Sequence, residues 1–184
     1  MNFATIIIDM QQDFFTKEKL AANKKNLIKN INSLASLSRQ KHIPVIWVKQ
    51  ILKSDLSDSP LGNKDFGEKI VIEGSLGAEL LSGLDVRPQD KIVIKKRYSA
   101  FFNTNLEDLI SKMHIDTLIV AGINTHACVR MTVIDAYQRD LRVIVAEDCV
   151  DSWDEEHHKI TMRYFVPQIA RVLNNKEIFS LLEK

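Results

Sequence analysis

Thr117-Leu118-Ile119-Val120-Ala121-Gly122-Ile123-Asn124-Thr125-His126-Ala127-Cys128-Val129 runs for 13 residues without an acidic or basic side chain other than one histidine. Its first five residues are β-branched or apolar without alternation, as in a strand covered on both faces. Gly122 then supplies a hinge, and Asn124 and Thr125 are helix-capping types. Cys128 falls in the first turn of a helix, which Val129, Val133, Ala136 and Tyr137 continue at three- and four-residue spacing. The run is too short and too polar to span a lipid bilayer.

The same strand-then-helix grammar extends in both directions. Short apolar runs at residues 4–8, 43–48, 92–94 and 142–146, with a weaker edge candidate at 169–173, alternate with amphipathic segments such as Leu27, Ile31, Leu34 and Leu37. That alternation predicts parallel βαβ units, an α/β fold with helices on both faces of the sheet. Ser152 followed by Glu155 has the spacing of a capping box and predicts a helix through Ile160 that stops near Pro167. Residues 52–76, with Pro60, Gly62, Gly67 and Gly74 and little periodicity, read as an irregular excursion, either a lid or binding loop or a solvated insertion.

The chain has 184 residues, enough for one domain over residues 1–184. Its 25 Lys+Arg against 24 Asp+Glu give a formal charge of +1, which supplies no field to hold a phosphate backbone or an anionic lipid surface. Neither nucleic acid nor a membrane is an expected partner. The apolar run 3–8 ends in Asp9 with no basic leader or small-residue cleavage site. Two cysteines are too few for a disulfide framework, so a reducing cytoplasm is the expected compartment.

In an open parallel sheet, ligands bind beyond the carboxyl ends of the strands, which makes the residues just after each apolar run informative. Asp9 follows Ile8, Lys95 follows Ile94, and Cys128 lies just past the 117–121 strand. Singly, each has a plain alternative: a turn cap for Asp9, a solvated basic cluster for Lys95-Lys96-Arg97, and a small buried hydrophobe for Cys128. Together, on one sheet edge, they are a base, an ammonium and a thiol. The helix N-terminus and a neighbouring cation should lower the Cys128 pKa. Such a set supports attack of a thiolate on a trigonal carbon, with loop N–H groups holding the oxyanion. Cys149, in an acidic setting, reads as structural.

Three blocks, Asp9-Met10-Gln11-Gln12-Asp13-Phe14, Lys95-Lys96-Arg97-Tyr98-Ser99-Ala100-Phe101 and Ala121-Gly122-Ile123-Asn124-Thr125-His126-Ala127-Cys128-Val129, resemble in order and spacing the motifs of the isochorismatase-like cysteine hydrolases. The resemblance covers essentially the whole chain. It implies a six-stranded parallel sheet of Rossmann-like topology, with Asp9 as general base, Lys95 as electrostatic partner and Cys128 as nucleophile. It also implies a cis peptide at Ile123–Asn124 that aims the N–H groups of Asn124 and Cys128 at the oxyanion, and a homo-oligomer. Nicotinamidases of that family carry an Asp-x-His metal motif after the second strand. Here Trp47-Val48-Lys49-Gln50-Ile51 offers neither a carboxylate nor an imidazole, so no metal is expected.

Retention of Cys128 favours cleavage of a C–N bond in a small amide or ureide through a thioester, with no cofactor. The alternatives are ether hydrolysis of the isochorismate type and a non-catalytic oligomeric scaffold, with a redox-sensing Cys128 as a further possibility. Phe14 and Trp47 are candidate walls of a pocket for a small-molecule substrate, with Gln11 a candidate contact. Asn124, at a position that is usually small in the family, either meets the substrate or caps the helix. His126 either meets the substrate or satisfies a backbone carbonyl, and His157-His158 read as a solvated helix start rather than metal ligands. Ile8-Asp9-Met10-Gln11-Gln12 has no glycine to admit a pyrophosphate, which excludes a dinucleotide site.

Overall fold

A computed structural model describes residues 1–166 and 168–183. Six strands, β1 (Phe3–Ile8), β2 (Val45–Gln50), β3 (Lys91–Lys95), β4 (Thr117–Gly122), β5 (Arg142–Val150) and β6 (Arg171–Leu173), form one sheet in the order β3-β2-β1-β4-β5-β6. Every neighbouring pair is parallel. The chain order reverses between β1 and β4, so the crevice outside their carboxyl ends is the switch point where open α/β sheets bind ligands.

Strand alternation sorts the apolar side chains into two cores. Ala4, Ile6 and Ile8 of β1 and Ile46 and Val48 of β2 pack with α3 (Leu106–Lys112), α4 (Arg130–Tyr137) and α5 (Glu155–Phe165). Ile7, Val45 and Trp47 face the other way, onto α1 (Glu18–Gln40) and α6 (Asn175–Leu182). Ile6, Ile7 and Ile8 are fully buried, each contributing about 1.5–3 kcal/mol from area removed from water. The apolar spacing of α1 is matched by its buried residues Leu27, Ile31 and Leu34.

Some boundaries differ from the sequence reading. Pro44 lacks the N–H a central strand needs, and Ile43 instead closes the end of α1 by donating its N–H to Ser38 O (2.8 Å). β5 runs past residue 146 to Val150 through a register shift, so Cys149 lies inside the strand. The Ser152/Glu155 capping box does not form. Asp154 caps α5 by accepting the His157 N–H (2.8 Å), and α5 ends at Phe165; Pro167, where a stop was expected, lies outside the described residues. A capping box does form at Asn174 and Glu177, opening α6, which the sequence reading did not pick out.

The excursion is tethered near its two ends and largely solvated between them. It contains α2 (Leu61–Phe66), closes on itself through a Leu52–Ile72 bridge, and packs Leu52 and Val71 with Ala78 in a small core against Phe14; just beyond it, Leu80 bridges to Gln11. The Asp13 carboxylate accepts the Val71 N–H (2.6 Å) and fills the space beside Gly77 where a Cβ would stand.

Gly122 ends β4 at φ +110°, and a Cβ there would lie 2.1 Å from Ile8 O and 2.5 Å from Ile8 N. Only glycine lets the ends of β4 and β1 run this close, immediately before Ile123 and Asp9. Gly122→Ala should therefore cost about 3 kcal/mol or more in urea unfolding. A variant as stable as the parent would show that this close approach is not a constraint on the fold.

Candidate active site

Each member of the site is placed by a strand. Lys95 ends β3 two residues after Val93, so alternation puts it on the α4 side of the sheet. Asp9 follows β1 with φ +54°, a left-handed conformation that aspartate adopts more readily than most residues, and its N–H donates to Val48 O (2.9 Å). Cys128 sits in the π-type turn Thr125–Val129 between β4 and α4. Residues far apart in the chain thus meet: Lys95 Nζ lies 2.8 Å from Asp9 Oδ2 and 3.4 Å from Cys128 Sγ. The same ammonium donates to Arg97 O (3.0 Å) and stands 3.5 Å from Gln50 Oε1. Lys95 is 0% exposed, Asp9 1% and Cys128 5%.

Burial decides the electrostatics. It raises the Asp9 pKa above the ordinary carboxylate value, with Lys95 opposing in part. It draws the Lys95 ammonium down, but Asp9 and Cys128 together outweigh it and the net direction is up. The Cys128 thiol is pushed well up, first by burial and then by the Asp9 charge, with Lys95 opposing. The lowering expected from the sequence is reversed: desolvation of the sulfur beside a carboxylate exceeds the pull of an ammonium already paired with Asp9. These shifts favour the thiol form of the Cys128 sulfur. Asp9 Oδ1 is enclosed without a hydrogen-bond partner among the described residues.

Ile123–Asn124 is a cis peptide, as the resemblance implied. Ile123 is fully buried and its N–H donates to Ile8 O (3.0 Å), while the Asn124 carbonyl accepts from Ala127 N (3.0 Å) and Val129 N (3.2 Å). Asn124 does not cap the turn with its side chain; its Oδ1 accepts the Trp153 N–H (3.3 Å).

Two expected substrate contacts are corrected. Trp47 is fully buried under α1, with Nε1 donating to Asp90 Oδ2 (2.9 Å) just before β3, at the sheet end opposite the triad. Gln11 has its amide fully engaged: Nε2 donates to Gln50 O and Ala78 O (both 2.8 Å) and Oε1 accepts Gln50 N–H (2.8 Å). It ties β1, β2 and the excursion together, with no group left for a ligand. Phe14 is half-buried between the α1 core and the excursion, a position compatible with a wall.

His126 contacts neither a carbonyl nor open solvent alone; its Nδ1 pairs with Ser152 Oγ, and its ring meets Trp153 edge to face at 5.3 Å. His158 is half-buried, with Nδ1 2.9 Å from Thr125 Oγ1, whereas its neighbour His157 pairs with Asp154 (2.9 Å). His158, Thr161 and Phe165 share the i, i+3, i+7 spacing of an inward face, a signal that could have separated the two histidines. Cys149 is buried in β5, its Sγ 3.2 Å from Asn175 Oδ1, and burial pushes its thiol up to about 12.

The end of β2 and the residue after it do not suit the metal of nicotinamidases. Lys49 pairs with Glu79 (3.2 Å), Gln50 is held by Gln11, and Ile51 has no donor atom. Among the described residues no three His, Cys, Asp or Glu side chains converge as a metal site requires.

Comparison with known proteins identifies the family and the fold. The family model of the isochorismatase domain matches residues 3–177. A probable inactive nicotinamidase of Arabidopsis thaliana is 35% identical over 165 residues, covering 85% of this chain and 84% of that protein. The structure of a cysteine hydrolase from Pseudomonas syringae superposes with a TM-score of 0.91 at 24% identity, over 99% of this chain and 92% of that one, and shows the shared fold. An N-carbamoylsarcosine amidase from Thermoplasma acidophilum has a TM-score of 0.82 at 25% identity, over 95% and 96% of the two chains. With the family model spanning nearly the full length and a relative above a third in identity over most of both sequences, the chain belongs to the isochorismatase family, whose members are hydrolases.

Proposed function

We propose that the protein is a cysteine-dependent amidohydrolase that cleaves a C–N bond of a small amide or ureide through a thioester on Cys128. The observation that carries this reading is the contact of one buried ammonium with both a carboxylate and a sulfur. Asp9 takes the thiol proton as Cys128 Sγ attacks the carbonyl carbon, and the Asn124 and Cys128 N–H groups receive the oxyanion. The intermediate collapses by breaking the C–N bond, and the proton on Asp9 passes to the leaving nitrogen. Water then attacks the thioester with Asp9 again as base, releasing the acid and the thiol. Lys95 holds Asp9 in place and offsets the negative charge that passes between carboxylate, sulfur and oxyanion.

The raised pKa of Asp9 suits that role, because it makes the carboxylate a stronger base than an ordinary aspartate. The steps use no metal, since Lys49 and Gln50 at the end of β2, engaged by Glu79 and Gln11, offer it no carboxylate or imidazole. The amidase activity named for the Thermoplasma relative belongs to the same reaction class. The Arabidopsis relative's description as probably inactive makes a non-catalytic scaffold the rival reading. The family resemblance also supports self-association and a cytoplasmic setting. Among the described residues, no helix is long and apolar enough to cross a membrane.

A panel of small primary amides and ureides, assayed for ammonia, should contain a substrate whose turnover falls by at least about 10³-fold in Cys128→Ala and in Asp9→Asn. Undiminished turnover in Cys128→Ala overturns the thioester, and silence of the parent across a broad panel favours the scaffold.

The pH dependence follows from the directions of the shifts. Asp9 must be ionised to accept the thiol proton, and its pKa is raised, so activity should be lost as pH falls through a value above the ordinary ~3.9 of an aspartate. The kcat/KM profile of the parent checks this. In the free protein, iodoacetamide should modify Cys128 slowly at pH 7 and faster only above the usual thiol value of ~8.5, and Lys95→Ala should slow it further. Rapid alkylation at neutral pH contradicts a protonated resting sulfur.

A further inference from the structure

The turn that carries the sulfur is fastened chiefly from one side, by the segment that follows β5. Thr125 donates both its N–H and its Oγ1 hydroxyl to Asp151 O, each at 2.9 Å. Asp151 N–H returns to Gly122 O (3.4 Å), His126 pairs with Ser152, and Asn124 Oδ1 accepts the Trp153 N–H. Asp151 is itself immobilised: its carboxylate accepts from Asn23 Nδ2 (2.7 Å) and Ser152 N (2.7 Å) and faces Lys19 Nζ (3.4 Å). A chain of bonds therefore runs from α1 through Asp151 and Thr125 to the residues that flank the sulfur.

Thr125 is the joint in that chain. Its side chain is fully buried, and a hydroxyl has one proton to give and lone pairs to accept. With the proton given to Asp151 O, the contact to His158 Nδ1 (2.9 Å) requires His158 to carry its own proton on Nδ1 and donate it. Both partners of the hydroxyl lie outside the turn, one on the segment after β5 and one on α5. The Thr125 N–H fixes one point of the backbone; the hydroxyl adds a second, which opposes rotation of the turn about the first.

We propose that Thr125 is a positioning residue for the reaction: its hydroxyl, held between Asp151 O and His158 Nδ1, fixes the backbone of residues 123–128 so that the Asn124 and Cys128 N–H groups and the Cys128 sulfur keep one mutual geometry. The proposal rests on the cysteine-hydrolase reading above. The hydroxyl acts through backbone donors whose hold tightens as the carbonyl becomes an oxyanion. Its loss therefore bears on the chemical step more than on ground-state binding.

The test uses the isosteric Thr125→Val and the hydroxyl-retaining Thr125→Ser, with kcat and KM measured on whichever amide or ureide the parent turns over. Thr125→Val should lower kcat by roughly 10- to 100-fold with KM within about 3-fold, and Thr125→Ser should return kcat to within about 3-fold of the parent. A Val variant with the parent's kcat, or a Ser variant as impaired as the Val variant, overturns the proposal. If Thr125→Val does not fold, His158→Phe carries the test, because it removes one partner of the hydroxyl from a half-buried site. Its kcat should fall by roughly 3- to 10-fold at unchanged KM, and an unchanged kcat overturns the proposal. The two levels separate cleanly. A parent with no Cys128-dependent turnover defeats the hydrolase reading, whereas a parent with such turnover and indifferent variants defeats only the role of Thr125.

Discussion

An ammonium group enclosed by protein is tolerated only if its charge and its donors are all met, because moving it out of water unpaired costs far more than one domain's net stability. Lys95 is enclosed in this way, and its donors reach the Asp9 carboxylate, the Arg97 carbonyl and the Cys128 sulfur. Breaking a buried pair by removing one partner typically costs about 3–5 kcal/mol, so the pair acts as a strong constraint on where β1 and β3 end relative to each other. The sulfur is drawn into that arrangement as the third partner. Next to the cluster, Gln11 ties the ends of β1 and β2 together through Gln50, and Asp13 anchors the excursion through the Val71 N–H.

The sheet makes the cluster possible by geometry alone. The order β3-β2-β1-β4-β5-β6 places β1 and β4 side by side at the reversal, so the residues that follow them, Asp9 and the 123–128 turn, share one crevice. Lys95 starts two strands away and crosses β2 because its side chain is long and alternation points it to the α4 side. Gly122 removes the Cβ that would otherwise hold β4 away from Ile8. Sequence, strand register and chemistry are thus parts of one arrangement, and the cluster needs no loop to fold over it before its three members touch.

The strands and the meeting of Asp9, Lys95 and Cys128 at one sheet edge were legible in the sequence because both write local signatures. Uninterrupted β-branched runs mark strands buried on two faces, and a polar residue directly after such a run stands out. What was not legible depends on partners remote in sequence. Trp47 reads as a strand-end aromatic, yet its face is set by the register of β2 against β1, which turns it under α1 and toward Asp90. Gln11 sits in the same motif block as Asp9, and only the fold shows its amide consumed by Gln50 and Ala78. The direction of the Cys128 shift was misread because a helix-end argument weighs a local dipole, whereas desolvation is a property of everything packed around the sulfur. Thr125 and His158 left faint traces or none, since a buried threonine and a helix histidine acquire meaning only when β5 and α5 bring their partners.

The account's central claim is that the buried Asp9–Lys95 pair makes Cys128 the acyl acceptor. It is tested most directly by quenching the protein with acid during turnover of an amide it hydrolyses and mapping the modified peptides by mass spectrometry. The account predicts a transient gain in mass equal to the acyl group, confined to the peptide that holds Cys128 and absent from the one that holds Cys149. Steady release of ammonia with no adduct under single-turnover quench, or an adduct on another residue, would contradict it.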